Sequence, residues 1–413
     1  MNQVAPNMEN KSIAVIGLGY VGLPLFCQLS TSFSVVGYDV DNNRINELSR
    51  CIDSKKSVDR KQLCRALSNG IVTADIKKLS SSNVFIVTVP TPISKNNKPD
   101  TSALENVCLS ISTIIKKNAI VIFESTVFPG ATEELCVPLL AKSGLRFNVD
   151  FFVGYSPERI NVGDTEHQIK NVSKIVSGST PETTQIIASI YREILSKDII
   201  VSSCIKVAEA AKMYENVQRD LLIALANEYS EYCKMENISI DEVTKCASSK
   251  WNFSNVSPGL VGGHCIGVDP YYLLERASSK GIKLPLIQKA RNINENKSIN
   301  VANRIYNLIY DSKLSSPKIL LLGFAYKPNS CDIRNTKVSV VLNELRNKGF
   351  YVDCYDPLVN IDEVYKEYGL GLLSTLSDIN SFDLIIVMVE HDSILQLIQT
   401  CKESHFVYLR NLL

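Results

Sequence analysis

One short stretch of the 413-residue chain places a nucleophile among residues with unusual backbone freedom. Residues 262–270 read Gly-Gly-His-Cys-Ile-Gly-Val-Asp-Pro, so three glycines and a proline accompany Cys265. This composition predicts a loop rather than a regular helix or strand. Small neighbours would let a ligand reach the sulfur, and Asp269 follows four residues later. Taken alone, Cys265 could simply be a small buried hydrophobic residue.

A second candidate site is a glycine-rich loop near the N-terminus. The apolar run 12–16 is typical of a buried parallel strand, and it leads into Gly17-Leu18-Gly19-Tyr20-Val21-Gly22 and a predicted helix. Gly17 permits a tight turn, Gly19 lets the backbone approach a pyrophosphate, and Gly22 allows close helix–strand packing. Asp39 ends the next strand, where an acid binds ribose hydroxyls and favours NAD over NADP. The whole pattern predicts a dinucleotide site.

Polar residues also follow the later predicted strands of this region. Strands are predicted at 83–89, 119–124 and 151–155, and the residues after them are Thr91, Thr126, Glu158 and Arg159. Ligands bind beyond the carboxyl ends of strands in open parallel sheets. Each residue alone could belong to an ordinary loop, but together they favour a site.

A long helix is predicted from Ile205 to about Asn237, because this segment contains no proline or glycine. Two stripes run along it. One is polar and consists of Lys212, Asn216 and Arg219; the other is apolar and consists of Tyr214, Val217, Leu221 and Leu225. The polar stripe could be a solvated face, whereas the apolar stripe makes the helix a candidate dimer axis.

The C-terminal hundred residues repeat the N-terminal pattern without its glycine fingerprint. A strand at 318–323, a helix at 336–348 and a strand at 350–355 are predicted, and the last ends at Asp356 as the earlier one ends at Asp39. Lys327 and Arg334 suit phosphate or carboxylate groups. We therefore expect an α/β protein with two Rossmann-like doubly wound parallel-sheet domains joined by a long central helix, divided at 1–202, 203–312 and 313–413.

Composition excludes several classes of protein. Lys and Arg number 44 against 43 Asp and Glu, so no overall field attracts nucleic acid or a membrane surface. The twelve cysteines show no C-x-x-C spacing and only four histidines accompany them, which argues against zinc, any other metal centre or a disulfide framework. Residues 1–10 resemble a frayed tail without a signal peptide, and no apolar run could span a bilayer. These features predict a soluble, cytoplasmic protein.

Seven motifs in order carry a resemblance to a known family. They are G-L-G-Y-V-G-L-P, V-P-T-P, E-S-T-V-F-P-G, Y-S-P-E-R-I, V-A-E-A-A-K-x-x-E-N-x-Q-R-D, G-L-V-G-G-H-C-I-G-V-D-P-Y-Y-L and D-I-R-N-T-K. Together they resemble the UDP-glucose/GDP-mannose dehydrogenase family over nearly the whole chain. His264 and the S-K-W-N-F stretch at 249–253 are similar to the bacterial UDP-N-acetylhexosamine 6-dehydrogenases of surface polysaccharide synthesis.

The resemblance implies a four-electron, NAD-dependent oxidation of the sugar C6 hydroxyl to a carboxylate, on UDP-N-acetylglucosamine or UDP-N-acetylgalactosamine. Cys265 would hold the C6 aldehyde as a thiohemiacetal and then as a thioester. Lys212 and Asn216 would support the oxyanion, and Asp269 and Thr126 would position the water and Lys212. Glu158 would be the general base for thioester hydrolysis. His264 is assigned no role.

The resemblance also implies two sets of binding residues and a homodimer. Substrate contacts are assigned to Arg159, Lys212, Asn216, Arg219, Gly262, Tyr326 and Lys327. Cofactor contacts are assigned to Gly17, Gly19, Tyr20, Val21, Gly22, Asp39, Arg44, Thr91, Thr126 and Arg334. Among these, Arg44 would lie over the adenosine and Arg334 near NAD.

Two segments depart from the family pattern, and alternatives remain. Residues 326–331 differ from the expected K-E-N-x-P-D form, and residues 406–411 lack the usual Asp-x-Lys. These departures bear on substrate affinity or domain stability. Alternative activities are oxidation of UDP-glucose or UDP-N-acetylmannosamine. A non-catalytic sugar-nucleotide sensor is a further alternative, against which the presence of Cys265, Lys212, Asn216, Asp269 and Glu158 argues.

Overall fold

The computed structural model describes residues 11–94, 96–160, 169–312, 314, 316–399, 401 and 406–413. The prediction of a frayed tail at residues 1–10 lies outside this part of the chain. The described residues form two compact units, one from the ranges 11–215 and 271–280 and the other from the ranges 216–270 and 281–413. The division into three domains at 202 and 312 stays a prediction.

The first unit is built on an eight-stranded sheet. Its strands are β1 (Ser12–Ile16), β2 (Ser34–Tyr38), β3 (Gly70–Thr73), β4 (Val84–Val87), β5 (Ala119–Phe123), β6 (Phe151–Tyr155), β7 (Lys174–Gly178) and β8 (Ile199–Val201). Its helices are α1 (Gly22–Leu29), α2 (Asn42–Ser49), α3 (Arg60–Asn69), α4 (Ser102–Ser112), α5 (Val137–Leu140) and α6 (Pro181–Arg192). The strand order is β3-β2-β1-β4-β5-β6-β7-β8.

The strand directions differ in part from the all-parallel expectation. The first six strands in this order pair in parallel, as predicted, but β7 pairs antiparallel to β6, with Gly154 opposite Gly178. β8 then pairs in parallel with β7. The start of β7 therefore lies at the edge where β5 and β6 end, and this edge carries most of the predicted site residues of this unit.

Alternating side chains divide the core of the first unit into two layers. Ile13 and Val15 pack into one buried cluster with α1, α3 and α6, whereas Ala14 and Ile16 pack into another with α4 and α5. Successive side chains of a strand point to opposite faces, so a strand covered on both sides reads as a continuous apolar run. This is the reason that β1, β4 and β5 could be placed from the sequence.

The remaining elements begin with the long helix. They are α7 (Ile205–Met235), α8 (Ile240–Ala247), α9 (Asp269–Ser279) and α10 (Pro285–Asp311), followed by β9 (Lys318–Leu322), α11 (Val338–Asn347), β10 (Tyr351–Tyr355), α12 (Ile361–Tyr368), β11 (Leu384–Val387), α13 (Asp392–Gln399), β12 (Phe406–Tyr408) and α14 (Leu409–Leu412). The second sheet has the order β10-β9-β11-β12 and is parallel throughout. Helix α7 confirms the predicted long helix.

The predicted similarity between the N-terminal and C-terminal strand–turn–helix units extends to individual hydrogen bonds. Gly17 and Gly323 each end the first strand of their sheet at a φ of +93° and +91°. Each donates its N–H to the last residue of the neighbouring strand, Tyr38 or Tyr355, at 2.8 Å. A non-glycine residue is strained at these angles, so glycine is required at both turns.

Two sequence-based expectations need correction. The structure pairs Cys51 with Cys64 in one disulfide that tethers the segment after α2 to α3, whereas the cysteine spacing argued against a disulfide framework. A single bridge between residues 13 apart does not need the paired spacings of a disulfide framework. The apolar stripe of α7 is also not one face: Val217 is 3% exposed, but Tyr214 and Leu225 are 72% and 60% exposed.

Candidate active site

The glycine-rich loop has the shape that a dinucleotide needs. A Cβ on Gly22 would lie 1.8 Å from the carbonyl oxygen of Gly17, so α1 can approach the loop this closely only with glycine there. A Cβ on Gly19 would meet no heavy atom within 4 Å, and Tyr20 and Val21 lead from it into α1. Gly19 thus faces open space directly before a helix N-terminus, where a pyrophosphate binds favourably.

Asp39 lies beside this loop and braces it. One of its carboxylate oxygens accepts the N–H of Leu18 at 2.8 Å and the other accepts the N–H of Asp41 at 3.0 Å. The side chain is half-buried. Its position at the end of β2, next to the loop, agrees with a role toward the ribose of NAD.

Arg44 lies in α2 and is buried against the same loop. Its Nε donates to the carbonyl oxygen of Leu18 at 2.9 Å, and its Nη1 pairs with Glu47 and, at 2.8 Å, with Asp53. Its Nη2 is buried without a hydrogen-bond partner in the described protein. A buried donor without a partner is costly, so this atom fits a bound ligand, and the loop residues fit NAD.

Four predicted residues of the first unit meet at the carboxyl edge of its sheet. The hydroxyl of Thr91 donates to the backbone oxygen of Thr126 at 2.7 Å and joins the loops after β4 and β5. Glu158 follows β6, and one of its carboxylate oxygens accepts the N–H groups of Arg159 and Ile160 at 2.6 Å each. These backbone bonds hold the Glu158 carboxylate in one orientation.

Helix α7 brings two more side chains to Glu158 and Arg159. Lys212 is 8% exposed, and its Nζ donates to the backbone oxygen of Glu158 at 2.6 Å. Arg159 pairs through Nη2 with Glu215 at 2.6 Å. Lys212, the first residue of the polar stripe, is therefore buried and held in place, whereas Arg219 of the same stripe is exposed.

In the second unit the cysteine loop is a chain of tight turns that ends in a helix. The N–H groups of Val268 and Asp269 donate to the backbone oxygen of Cys265 at 3.0 and 2.8 Å. Helix α9 begins at Asp269, so the last two residues of the predicted loop 262–270 belong to the helix, because Pro270 is favoured in a first helical turn. Cys265 is half-buried.

Asp269 is buried and holds Asn216. The amide of Asn216 donates from Nδ2 to Asp269 Oδ2, and Asp269 is 1% exposed. An amide nitrogen carries two hydrogens, so one remains for a ligand oxygen while the other fixes the side chain. The structure thus brings together Cys265, Asp269 and Asn216, three residues that the sequence places up to 53 positions apart.

The segment after β9 forms the platform of the cysteine loop. Gly263 donates its N–H to the backbone oxygen of Arg334 at 3.1 Å, and its own oxygen accepts from Asn335 Nδ2 at 3.2 Å. A Cβ on Gly262 or Gly263 would lie 2.9 Å from the side chain of Tyr326. Glycine at both positions therefore lets the loop rest on Tyr326.

The charged residues of this platform are paired. Arg334 binds the carboxylate of Asp332 with both Nε and Nη2, at 2.9 and 2.6 Å. Burial favours protonation of Asp332, but the Arg334 guanidinium holds its pKa below the usual value. Burial, with Asp332 nearby, raises the pKa of Tyr326, so its hydroxyl remains protonated. Lys327 lies with its Nζ 5.7 Å from the Tyr326 ring centre, and Arg219 is exposed on α7.

The unusual segment 326–331 is anchored by His391. Asn329 donates its N–H to His391 Nδ1 at 2.8 Å, and His391 Nε2 lies 3.0 Å from Asp356. Since Nδ1 accepts, the proton of the neutral ring is assigned to Nε2. The other unusual segment, 406–411, still forms β12 and the start of α14.

Comparisons with known proteins agree with this geometry along the chain. Three family models match: the NAD binding domain, the central domain and the UDP binding domain of the UDP-glucose/GDP-mannose dehydrogenase family, at residues 11–195, 206–296 and 320–413. The chain belongs to the UDP-glucose/GDP-mannose dehydrogenase family. Its cofactor is NAD, and its substrate class is a UDP-sugar.

Several individual relatives resemble this dehydrogenase closely. The UDP-N-acetyl-D-glucosamine 6-dehydrogenase of Pseudomonas aeruginosa is 46% identical over 93% of this chain and 91% of its own length. That of Salmonella typhi is 42% identical over 94% and 92%. A solved UDP-N-acetyl-mannosamine dehydrogenase from Pyrococcus horikoshii superposes with a TM-score of 0.86 at 30% identity and covers 97% of this chain and 96% of that one.

Three buried residues of the dehydrogenase were missed by the sequence analysis. Glu124 directly follows β5, Lys174 begins β7, and Tyr191 lies in α6; Lys174 Nζ is 2.8 Å from Glu124 Oε2, and the Tyr191 hydroxyl donates to Glu124 Oε1. The sequence signal that could have revealed them is a lysine at the start of an apolar strand, Lys-Ile-Val. In an all-parallel sheet this lysine would lie at the edge opposite Glu124, so the sequence alone did not suggest that the two residues pair.

The described residues contain no cluster of three or more metal-ligating side chains. Among the helices that the structure describes, none is both long and apolar enough to cross a membrane.

Proposed function

We propose that this dehydrogenase oxidises the C6 hydroxyl of a UDP-N-acetylhexosamine, UDP-N-acetylglucosamine or UDP-N-acetylgalactosamine, to the uronic acid for bacterial surface polysaccharide synthesis. The observation that carries the proposal is the half-buried Cys265 in a tight turn closed by Asp269, which in turn holds Asn216. The relatives named UDP-N-acetyl-D-glucosamine 6-dehydrogenase, at 42–46% identity, support the choice of sugar. A third relative at 41% identity, protein CapL of Staphylococcus aureus, supports the link to capsules.

Cys265 is the proposed nucleophile. Bound NAD supplies the hydride acceptor for each of the two oxidations. The Cys265 thiolate adds to the C6 aldehyde to give a thiohemiacetal, and after the second oxidation C6 is held as a thioester. Water then adds to the thioester carbonyl, Glu158 takes one of its protons, the C–S bond breaks, and Cys265 leaves as a thiolate.

The charged and polar groups around Glu158 and Cys265 have proposed roles that their contacts support. Lys212 and the remaining hydrogen of Asn216 Nδ2 stabilise the oxyanion of the thiohemiacetal and of the hydrolytic intermediate, where such donors are worth about 3–4 kcal/mol. Asp269 orients Asn216, and Thr126, tied to Thr91, shapes the loop that positions the water. Glu158 is oriented by the two N–H groups that its carboxylate accepts.

The binding residues divide between the two ligands. We assign the cofactor to the glycine loop with Asp39 and Arg44, to Thr91 and Thr126, and to Arg334. We assign the UDP-sugar to Arg159, Lys212, Asn216, Arg219, Gly262, Tyr326 and Lys327. His264 keeps no assigned role, although its Nδ1 lies 3.8 Å from Asp332.

Oxidation of UDP-N-acetylmannosamine or UDP-glucose is the alternative within the same chemistry. The Pyrococcus horikoshii structure, described as a UDP-N-acetyl-mannosamine dehydrogenase, favours the first of these. A non-catalytic sensor of sugar nucleotides is the alternative from another class. It would have no need for a buried Asp269 that orients Asn216.

The proposal is tested by mixing the protein with NAD and each of the four candidate UDP-sugars while the absorbance of NADH and the product mass are followed. We expect two NADH per uronate formed and the highest kcat/KM with UDP-N-acetylglucosamine or its galacto epimer. A higher kcat/KM with UDP-N-acetylmannosamine or UDP-glucose would favour the corresponding alternative dehydrogenase activity. Binding of a UDP-sugar without formation of NADH would support the non-catalytic sensor.

We also propose that the protein is a cytoplasmic homodimer in which α7 faces its copy. Leu225 and Tyr232 are exposed by 60% and 51% and are seven residues apart, so they lie on one face of α7. Aromatic and apolar side chains that are exposed in a row are enriched at interfaces. A second copy presents the same row, which suits a two-fold interface.

A further inference from the structure

Beneath Glu158 lies a buried cluster that the proposed chemistry does not use. Lys174 is 4% exposed and Glu124 is 2% exposed, and their Nζ and Oε2 atoms are 2.8 Å apart. The same Nζ lies 3.7 Å from Oε2 of Glu158. One ammonium group therefore stands between two carboxylates, of which one is buried and the other is the proposed base.

The remaining contacts of the cluster account for its other polar atoms. The second oxygen of Glu124 accepts the Tyr191 hydroxyl, and Lys174 Nζ lies 3.4 Å from the backbone oxygen of Pro157 and 5.0 Å from the centre of the Tyr191 ring. From α7, Lys212 donates to the backbone oxygen of Glu158. The Arg159 guanidinium is paired with Glu215. Among the described cations around Glu158, Lys174 is thus the one that forms an ion pair with its carboxylate.

We propose that Lys174 and Glu124 are positioning residues for Glu158, in which Lys174 bridges the two carboxylates and Glu124 offsets its charge so that Glu158 remains a competent base. This inference rests on the proposed role of Glu158 in thioester hydrolysis. In that step Glu158 accepts one proton from the attacking water while the thiolate of Cys265 departs. A lone ammonium beside Glu158 would hold the carboxylate in its charged form and make it a weaker base.

The electrostatics of the cluster agree with this geometry. Burial raises the pKa of Glu124 to about 7 even though Lys174 opposes the shift. Burial alone would lower the pKa of Lys174, but the carboxylates of Glu124 and Glu158 raise it overall. Burial and the nearby Glu124 raise the pKa of Tyr191, so that its hydroxyl stays a donor. Coupled groups of this kind titrate together, so removal of one changes the others.

The test uses the full-length enzyme with NAD and its best UDP-sugar. The acyl-enzyme is trapped by rapid quenching at a series of pH values, and its rate of decay is read from the intact mass. In Glu124→Gln the charge of Lys174 acts on Glu158 alone at every pH, so Glu158 becomes a weaker base. Hydrolysis on the plateau above about pH 7, where Glu124 of the wild type is charged, should slow by about threefold. In Lys174→Met the two carboxylates lose their counter-ion, and the acidic limb of the hydrolysis profile should move to higher pH by about one unit.

The double variant and two surface controls separate this role from a structural one. With both charges removed, the limb should return near that of the wild type. Glu193→Gln and Lys197→Met change the same charges at exposed positions of the same unit, and they should leave the profile in place. If a buried replacement fails to fold, Tyr191→Phe remains: it removes only the hydroxyl bond that favours the charged form of Glu124, and it should slow hydrolysis on the plateau less than Glu124→Gln does.

The outcomes distinguish the inference from the proposed function. A slower plateau in Glu124→Gln together with a limb at higher pH in Lys174→Met supports the inference. A plateau in Glu124→Gln, or a limb in Lys174→Met, like that of the surface controls overturns it while the wild type still forms and hydrolyses the adduct. If the wild type forms no adduct with any UDP-sugar, the proposed function itself is wrong.

Discussion

Asp39 and Asp356 occupy equivalent places in the two sheets but have different neighbours. Asp39 accepts the Leu18 N–H and stays half-buried, whereas Asp356 accepts the N–H groups of Phe324 and Ala325 at 2.6 and 3.0 Å and is covered by the fully buried His391. Burial would raise the pKa of Asp356, but its contact with His391 lowers it. Only Asp39 is therefore open to a ribose.

The charge of Asp39 leads to a prediction about the cofactor. We expect the wild type to prefer NAD over NADP by about 100-fold in kcat/KM, because a carboxylate repels the 2′-phosphate. Asp39→Asn should narrow the preference for NAD mainly by weakening the binding of NAD, since it removes the charge. It keeps an oxygen that accepts the Leu18 N–H. Asp39→Ala should also lower the melting temperature, since it leaves that N–H without its partner. Comparable steady-state kcat/KM for both cofactors in the wild type would contradict the assignment.

A second residue-level prediction separates two stages at Cys265. In Cys265→Ser the introduced hydroxyl can still hold C6, but an ester resists hydrolysis more than a thioester. Turnover should fall by on the order of 10³ or more, while a burst of up to two NADH per active site survives. The sugar should also accumulate covalently on the serine, which the intact mass of the protein would show. Cys265→Ala should bind both ligands without an adduct.

The control for this experiment is Cys246→Ser, which changes an exposed cysteine of α8 and should keep full activity. Sustained turnover to the uronate by either Cys265 variant would show that another group is the nucleophile.

At the scale of elements, the glycine loop shows how two glycines of one motif meet different constraints. The Gly22 position is closed by the Gly17 oxygen, whereas the Gly19 position opens to empty space. Gly22 is therefore required by the packing between β1 and α1. Gly19 is not required by the packing of the protein, and only a ligand that approaches the loop, such as NAD, would need glycine there.

This difference predicts opposite phenotypes for two alanine substitutions. Gly22→Ala should destabilise the fold by about 3 kcal/mol, because its Cβ would overlap backbone that cannot move away. Gly19→Ala should unfold at nearly the wild-type temperature, but its methyl group should raise the KM for NAD by roughly 10-fold, equal to about 1.4 kcal/mol. Thermal unfolding and NAD titration measure the two effects. Equal melting temperatures for both variants would refute the packing argument.

The reversal of β7 is the second element-level feature with consequences for the site. In a parallel sheet, the first residue of a strand lies at the edge opposite the carboxyl ends of its neighbours. Because β7 runs antiparallel to β6, Lys174 lies at the same edge as Glu124 and Glu158. One change of strand direction thus places a cation beneath the proposed base.

At the scale of the whole molecule, α7 is continuous from the first unit into the second and leaves apolar side chains uncovered. Leu225 and Tyr232 are more than half exposed, and Tyr229 next to this row is 44% exposed. Such a row on a 31-residue helix suits a partner helix more than it suits water.

The homodimer proposal predicts that the wild type has twice the chain mass of 45.8 kDa in light scattering. Leu225→Glu should shift the protein to the monomer, because two carboxylates would meet at the two-fold axis without counter-ions. Ile282→Glu is the matched control: its side chain is 56% exposed against 60% for Leu225, but it lies outside α7. A wild-type monomer, or equal dissociation of both variants, would refute the interface.

What the sequence determined by itself is local in the chain. The turn at Gly17, the apolar strands and the uninterrupted α7 depend on residues a few positions apart, so their patterns could be interpreted without a structure. The loop around Cys265 was predicted for the same reason.

The tertiary structure decided the contacts between distant segments. Lys174 and Glu124 are 50 positions apart, and Asn335 and Gly263 are 72 apart. No periodicity encodes such pairs, because they depend on strand order, strand direction and the register between packed elements. The motifs of this dehydrogenase could therefore be assigned from the sequence, whereas the buried charges under Glu158 and the platform under Cys265 required the fold.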